Sequence, residues 1–341
     1  MAGAVVHEKF FSDCINKSSL ADYLLNQKNC NIYSQGHDLL LYMETWNFIR
    51  NRQISLLLSN YRFQEFIYNY LKTAMRNESI YEIDDVKLFL YGYISHHILD
   101  SYFHPYIMQY CGDYLPVKNK EWLHGTIETI FDTSFIWKYY NCDPVKFKIH
   151  KDFNYTEVES ARFISNINQA GIDTYNIDCL GKKINISFHS LDKFMYLYRY
   201  DPFDFKKVLG RLAEYFITLG AEGFFYDKDM LLELDKYSNI ENKEWIYYYT
   251  KGTSNEIKCS DSFQDMYNKA LEVTIQIINN LEEVIKNSNI SFNDLTDIIP
   301  NRSAITGIDC GSVELPFIKT TRWIEDLSEG IRDLFDRNKV G

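Results

Sequence analysis

Apolar side chains recur three and four residues apart through most of the first 140 residues, the period of one helix face. That period predicts helices over Val6–Ile15, from a Ser19 cap through Gln27, over Asp38–Ile49 and over Ile54–Met75. Asp84 or Asp85 can cap the next helix, whose apolar stripe includes Val86, Phe89, Leu90 and Tyr93. Pro105 disfavours helical geometry at His104, which predicts an end near Phe103. Another helix is expected over Asn119–Tyr140. The pattern then loosens. Thr156–Asn168 reads as helix, and the β-branched and aromatic residues from Thr174 to Ser190, around Gly181–Lys182, read as a hairpin. Further helices are expected over Phe203–Leu219, Asp229–Leu234, Ser262–Lys286 and Thr321–Arg337, with Ser238–Ser260 polar and irregular. The reading is an all-α fold: one multi-helix domain over 1–341, with helices at 5–145, a variable insert at about 145–235 and C-terminal helices at 236–341.

Composition narrows this further. With 15 Gly and 6 Pro the chain is poor in corner residues, which argues against a β-sandwich or barrel. A net charge of −11 makes a long nucleic acid a poor partner. The seven cysteines are widely spaced and form no CxxC, so free thiols in a reducing compartment are expected. The first residues, MAGAVVHEKFFSDC, lack the apolar run of a signal peptide, and no apolar stretch reaches eighteen residues. A cytoplasmic protein without a transmembrane segment is the expectation.

Six of the eight histidines fall within the first 124 residues. His96, Asp100 and His104 are spaced by four and four, so they share a helix face and continue the stripe of Phe89 and Tyr93. A carboxylate on such a face is costly to bury unless something neutralises it, and a cation would. His96 to His104 spans about 12 Å of helix, too far for one ion to take all three side chains. His96 and Asp100 can share an ion, leaving His104 to a neighbour. His124 and Glu128 repeat the spacing, with Asp132 following as a further ligand neighbour or a solvated helix charge. Imidazole nitrogen with carboxylate oxygen is a zinc-type donor set. His97 faces away from His96 and reads as a packed core histidine; His150 and His189 read as surface residues of the insert.

The order of these residues resembles the zinc-dependent phospholipase C family, in its shorter-motif bacterial branch. The strings that carry the resemblance are Gly36-His37-Asp38-Leu39-Leu40-Leu41-Tyr42, Tyr91-Gly92 through His96, Asp100 and His104 to Ile107, His124-x-x-x-Glu128-x-x-x-Asp132, and Asp143-Pro144. Trp245 followed by Ser262-Phe263 and an amphipathic helix is also similar. The resemblance implies an all-α fold holding one to three Zn2+ ions and hydrolysing a phosphoester small molecule or phospholipid head group. It implies His104, His124 and Glu128 on one ion, Asp38, His96 and Asp100 on a second, and Asp100 with His7 on a third. Asp38 would also serve as general base. Two alternatives stand beside this reading: a non-catalytic descendant that keeps a metal as a binding module, and a nuclease-like phosphodiesterase. The sequence departs from the family in lacking a histidine between Asp38 and Lys87, so Ser59, Asn60, Glu65 or His37 is left to stand in. Secreted members also bind the third ion through a processed N-terminal tryptophan, and here no Trp precedes Trp46. An oxygen-rich second site is therefore expected to bind more weakly than the first.

Overall fold

A computed structural model describes residues 3–21, 30–42, 48–111, 121–147, 157–197, 228–248, 256–287 and 290–310. Its helices are α1 (Ala4–Lys17), α2 (Phe48–Asn60), α3 (Phe63–Arg76), the single turn α4 (Ser79–Glu82), α5 (Asp84–Cys111), α6 (Glu121–Tyr140), α7 (Glu157–Tyr175), α8 (Leu180–Leu197), α9 (Leu234–Tyr237), α10 (Phe263–Lys286) and α11 (Phe292–Ile298). Segments of 3-10 helix cover Cys30–Tyr42, Pro144–Lys146 and Lys228–Glu233. Two short strands, β1 (Trp245–Tyr248) and β2 (Glu256–Cys259), pair antiparallel with Trp245 opposite Cys259. The fold is all-α apart from this ribbon. No helix among the described residues is long and apolar enough to cross a membrane.

The centre of the fold is α5. Its 28 residues rise about 42 Å, and they are apolar on nearly every side, the mark of a helix surrounded by protein. The Cys30–Tyr42 segment, α1, α6, α10 and β1 all pack against it. Gly92 lets the Cys30–Tyr42 segment approach closely, because a Cβ there would stand 2.5 Å from the carbonyl of Tyr33. Helix α10 begins with a capping box: Ser262 accepts from the Asp265 amide, and Asp265 accepts from the Ser262 amide. Its Glu282 meets α5 inside the protein, accepting from Tyr91 Oη at 2.5 Å and pairing with Lys87 at 3.0 Å.

Several sequence expectations are corrected. The helix expected over Ile54–Met75 is broken at Arg62, which has φ +54. The Arg62 guanidinium donates to Glu65 and to the Thr174 carbonyl, so tertiary bonds hold the break. Asp38 lies in 3-10 turns, not in an α-helix. The two turns meet at Gly36. Pro105 sits inside α5 and does not end it; Pro105 has no N–H to bond the Ser101 carbonyl, and Arg302 donates there at 3.5 Å. The hairpin expected from Thr174 to Ser190 is the end of α7 and the start of α8. Gly181 serves helix contact, not a turn: a Cβ there would lie 2.2 Å from the Ile164 carbonyl oxygen. In place of an irregular stretch, Ser238–Ser260 holds the β1–β2 ribbon. Helix α7 packs on α3 and α8, and α8 on the Cys30–Tyr42 segment. The helices expected over Ser19–Gln27, Phe203–Leu219 and Thr321–Arg337 lie mainly or wholly outside the described residues. Cys14, Cys142, Cys179, Cys259 and Cys310 are free thiols.

Candidate metal centre

Three parts of the chain meet on one face of α5. Helix α5 supplies His96, Asp100 and His104; α1 supplies His7; the Cys30–Tyr42 segment supplies His37 and Asp38. Helix α6 adds His124 and Glu128 beside His104. The Gly36 backbone has φ +50, and a Cβ there would stand 2.6 Å from the His96 ring. Glycine is thus what lets the turn carry His37 and Asp38 down onto α5.

Asp100 is the hub. Its Oδ1 lies 3.1 Å from His7 Nε2 and 3.7 Å from His104 Nε2. Its Oδ2 lies 3.1 Å from His96 Nε2 and 3.8 Å from His37 Nε2. One carboxylate thus faces four imidazoles. Asp38 Oδ2 approaches His96 Nε2 at 3.9 Å. Glu128 Oε1 accepts from His124 Nε2 at 2.9 Å and lies 3.4 Å from His104 Nε2. The His7 and His96 rings stack at 3.9 Å.

Each approach is fixed from behind. His96 Nδ1 donates to the Ser34 carbonyl at 2.9 Å, and His104 Nδ1 to the Ala304 carbonyl at 2.7 Å. A carbonyl can only accept, so the hydrogen sits on Nδ1. His37 Nδ1 donates likewise to Asp38 Oδ1 at 3.1 Å. In the neutral form of all three rings the lone pair of Nε2 is left for the cluster, the arrangement that orients a metal-binding imidazole. Asp132 acts at a further remove. It is buried and accepts from the amides of Gly3, Val5 and Val6 at 3.0, 3.1 and 2.9 Å. It therefore caps α1 from α6 and holds the helix that carries His7. Buried in this way, it is not a solvated helix charge.

These residues suit a divalent cation. His37 Nε2, His96 Nε2 and Asp100 Oδ2 are buried and make no hydrogen bond, though they face one another. Unpartnered buried polar atoms are costly, and a shared cation would satisfy them together. Three groups bring ligand atoms within 4.8 Å of one another: His7, His96 and Asp100; His37, Asp38 and His96; and His104, His124 and Glu128. The last is the group the resemblance implies. In the second, His37 takes the place expected of a distant histidine. The other stand-ins are engaged elsewhere: Asn60 donates to the Leu56 carbonyl, Ser59 Oγ does the same, and Glu65 pairs with Arg62.

The electrostatics of the metal-free cluster follow from burial and these pairings. Burial opposes charge on His104, yet Asp100 and Glu128 beside it raise its pKa to about 9. His96 is also raised, Asp100 and Asp38 overcoming burial. Burial lowers His7 and His37, and neighbouring His96 adds to the effect. Against burial, His37 holds Asp38 below the usual carboxylate range, and His104, His96 and His7 do the same for Asp100. His97 stands apart: its ring stacks on Phe63 at 3.5 Å, its Nε2 donates to the Arg302 carbonyl, and burial lowers its pKa to about 3. It is the packed core histidine its spacing predicts. His150 lies outside the described residues, and His189 lies on α8.

Side-chain exposure sets the way in. Asp38 and His124 are 22% and 25% exposed, against 4% or less for His37, His96 and Asp100. A ligand from solvent meets Asp38 and His124 first. No family model, curated protein or solved structure matches the chain.

Proposed function

We propose that the protein is a zinc-dependent phosphoester hydrolase of the phospholipase C kind, acting on a phosphoester small molecule or phospholipid head group. The observation that carries this reading is Asp100 at the junction of the ligand groups, one carboxylate facing four imidazoles. His104, His124 and Glu128 would hold one ion. His37, Asp38 and His96 would hold a second, and His7 and Asp100 would reach a third. Bound zinc would supply Lewis-acid chemistry, drawing charge from phosphate oxygens and lowering the pKa of adjacent water.

The remaining work falls to the chain. Asp38 is the carboxylate of the cluster open to solvent. Its depressed pKa keeps it ionised at neutral pH. His37 occupies Oδ1, so Oδ2 is the oxygen that can take a proton from an attacking water. Burial of His7, His96 and Asp100 beneath it keeps bulk water from the inner face of the site. The net charge of −11 favours a small phosphoester over a long nucleic acid.

The test is elemental analysis of protein purified without chelator, paired with hydrolysis of a chromogenic phosphodiester. Two or three zinc ions per chain and turnover are expected. One ion or none, without turnover at any added zinc or manganese concentration, would favour a non-catalytic binding module.

The same reading predicts a pH dependence. The folded pKa of His104 is raised to about 9, above an unfolded value of about 6.5. Its protonated pairing therefore stabilises the metal-free protein fully below about pH 6.5 and is lost as pH rises toward 9. Zinc needs the neutral imidazole, so zinc affinity rises over the same window. The gap in melting temperature between zinc-loaded and metal-free protein should widen from pH 6.5 to 9. A constant gap would remove His104 from the ligand set.

A further inference from the structure

The segment 299–310 is irregular chain that dips into the interior at 303–306, where loops seldom go because their backbone groups must find partners. Ser303, Ala304, Ile305 and Thr306 are each 4% exposed or less. One side chain organises the turn. Ser303 Oγ accepts from the amides of Ile305 and Thr306, both at 3.1 Å, and donates to Asn60 Oδ1. Asn60 is itself tied to the Leu56 carbonyl at 3.1 Å, and the Ala304 amide donates to the Ser59 carbonyl at 2.9 Å. The turn is thereby locked to the end of α2. What it presents is the Ala304 carbonyl, 2.7 Å from His104 Nδ1.

We infer that Ser303 is a positioning residue for the ion site of His104, His124 and Glu128. It builds the buried turn whose carbonyl keeps the hydrogen on His104 Nδ1 and the Nε2 lone pair toward Glu128. This rests on the metal-binding reading above. A side chain behind a ligating histidine commonly changes metal affinity by about 10- to 100-fold when removed. The effect falls on one ion, because the imidazoles of His37 and His96 are held by Asp38 and the Ser34 carbonyl instead.

The experiment compares Ser303→Ala and Ser303→Thr with the wild type, using zinc competition against a chromophoric chelator and nitrogen NMR of the histidine rings. In Ser303→Ala, one class of zinc site should weaken about 10- to 100-fold while the other is unchanged. Above about pH 9, where the metal-free His104 ring is neutral, the variant should lose the pure Nδ1–H signature of the wild type. Ser303→Thr, which keeps the hydroxyl, should restore both. If Ser303→Ala does not fold, Asn60→Ala removes only the outer anchor and is read the same way. Unchanged affinity and tautomer, or equal weakening of all sites, would overturn the inference. Should the wild type bind no zinc, the functional reading fails, and the tautomer measurement still decides whether Ser303 positions His104.

Discussion

Asp100→Asn should cost the protein more of its metal than any other single replacement in the cluster. The carboxylate faces His7 and His104 with one oxygen and His96 and His37 with the other. An amide keeps the shape but offers one oxygen, and its NH2 is turned on two imidazole lone pairs. The ion of His7 and Asp100 loses a ligand outright, and the neighbouring ions lose the shared negative charge. Zinc content should fall by at least one ion per chain. The metal-free protein should suffer as well. His96 and His104 owe their raised pKa to this carboxylate, and breaking a buried charged pair costs about 3–5 kcal/mol. Urea denaturation near pH 7 would measure that loss. Wild-type zinc content in Asp100→Asn would show that Asp100 holds no ion.

Asp38→Asn should separate turnover from folding. The side chain is partly open to solvent, and its loss leaves the groups around Asp100 and Glu128 in place. The asparagine oxygen can still accept from His37 Nδ1, so the turn after Gly36 should hold. It cannot take a proton from water. Hydrolysis should drop by at least about 100-fold, the lower end for a lost general base. The melting temperature should stay near that of the wild type, and the ion on His104, His124 and Glu128 should remain. Turnover at the wild-type rate would place the activity elsewhere in the chain.

Much of the cluster was legible because it follows helix arithmetic. His96, Asp100 and His104 share a face by their spacing, as do His124 and Glu128, and spacing also set His97 on the other side. His37 was harder to weigh. Its neighbour Asp38 is a stronger motif residue, and which of the two points inward depends on φ +50 at Gly36. Main-chain groups gave no signal at all. The carbonyls of Ser34 and Ala304 orient His96 and His104, and any residue type could have supplied them. Asn60 illustrates the same limit: its composition suits a metal ligand, while its position makes it an anchor for Ser303. In the fold, the misreadings came where tertiary contacts outweighed local preference. Arg62 breaks a helix because Glu65 and Thr174 receive its guanidinium. Pro105 fails to end one because α5 is buried on most sides and Arg302 serves the carbonyl that the proline leaves unbonded. Gly181 looked like a turn residue because a close helix contact and a tight turn both favour glycine.

The bonds behind the histidines also bear on the order in which a ribosome delivers the chain. The amides of Gly3, Val5 and Val6 emerge well before their acceptor on Asp132, which lies up to 129 residues downstream. His104 waits a further 200 residues for the Ala304 carbonyl. Pairings this distant form late, since the intervening loop must close before the contact repays it. A nascent chain halted at residue 290 would carry every proposed ligand and still lack the group that orients one of them. Tight zinc uptake would then mark the moment at which synthesis has passed residue 304.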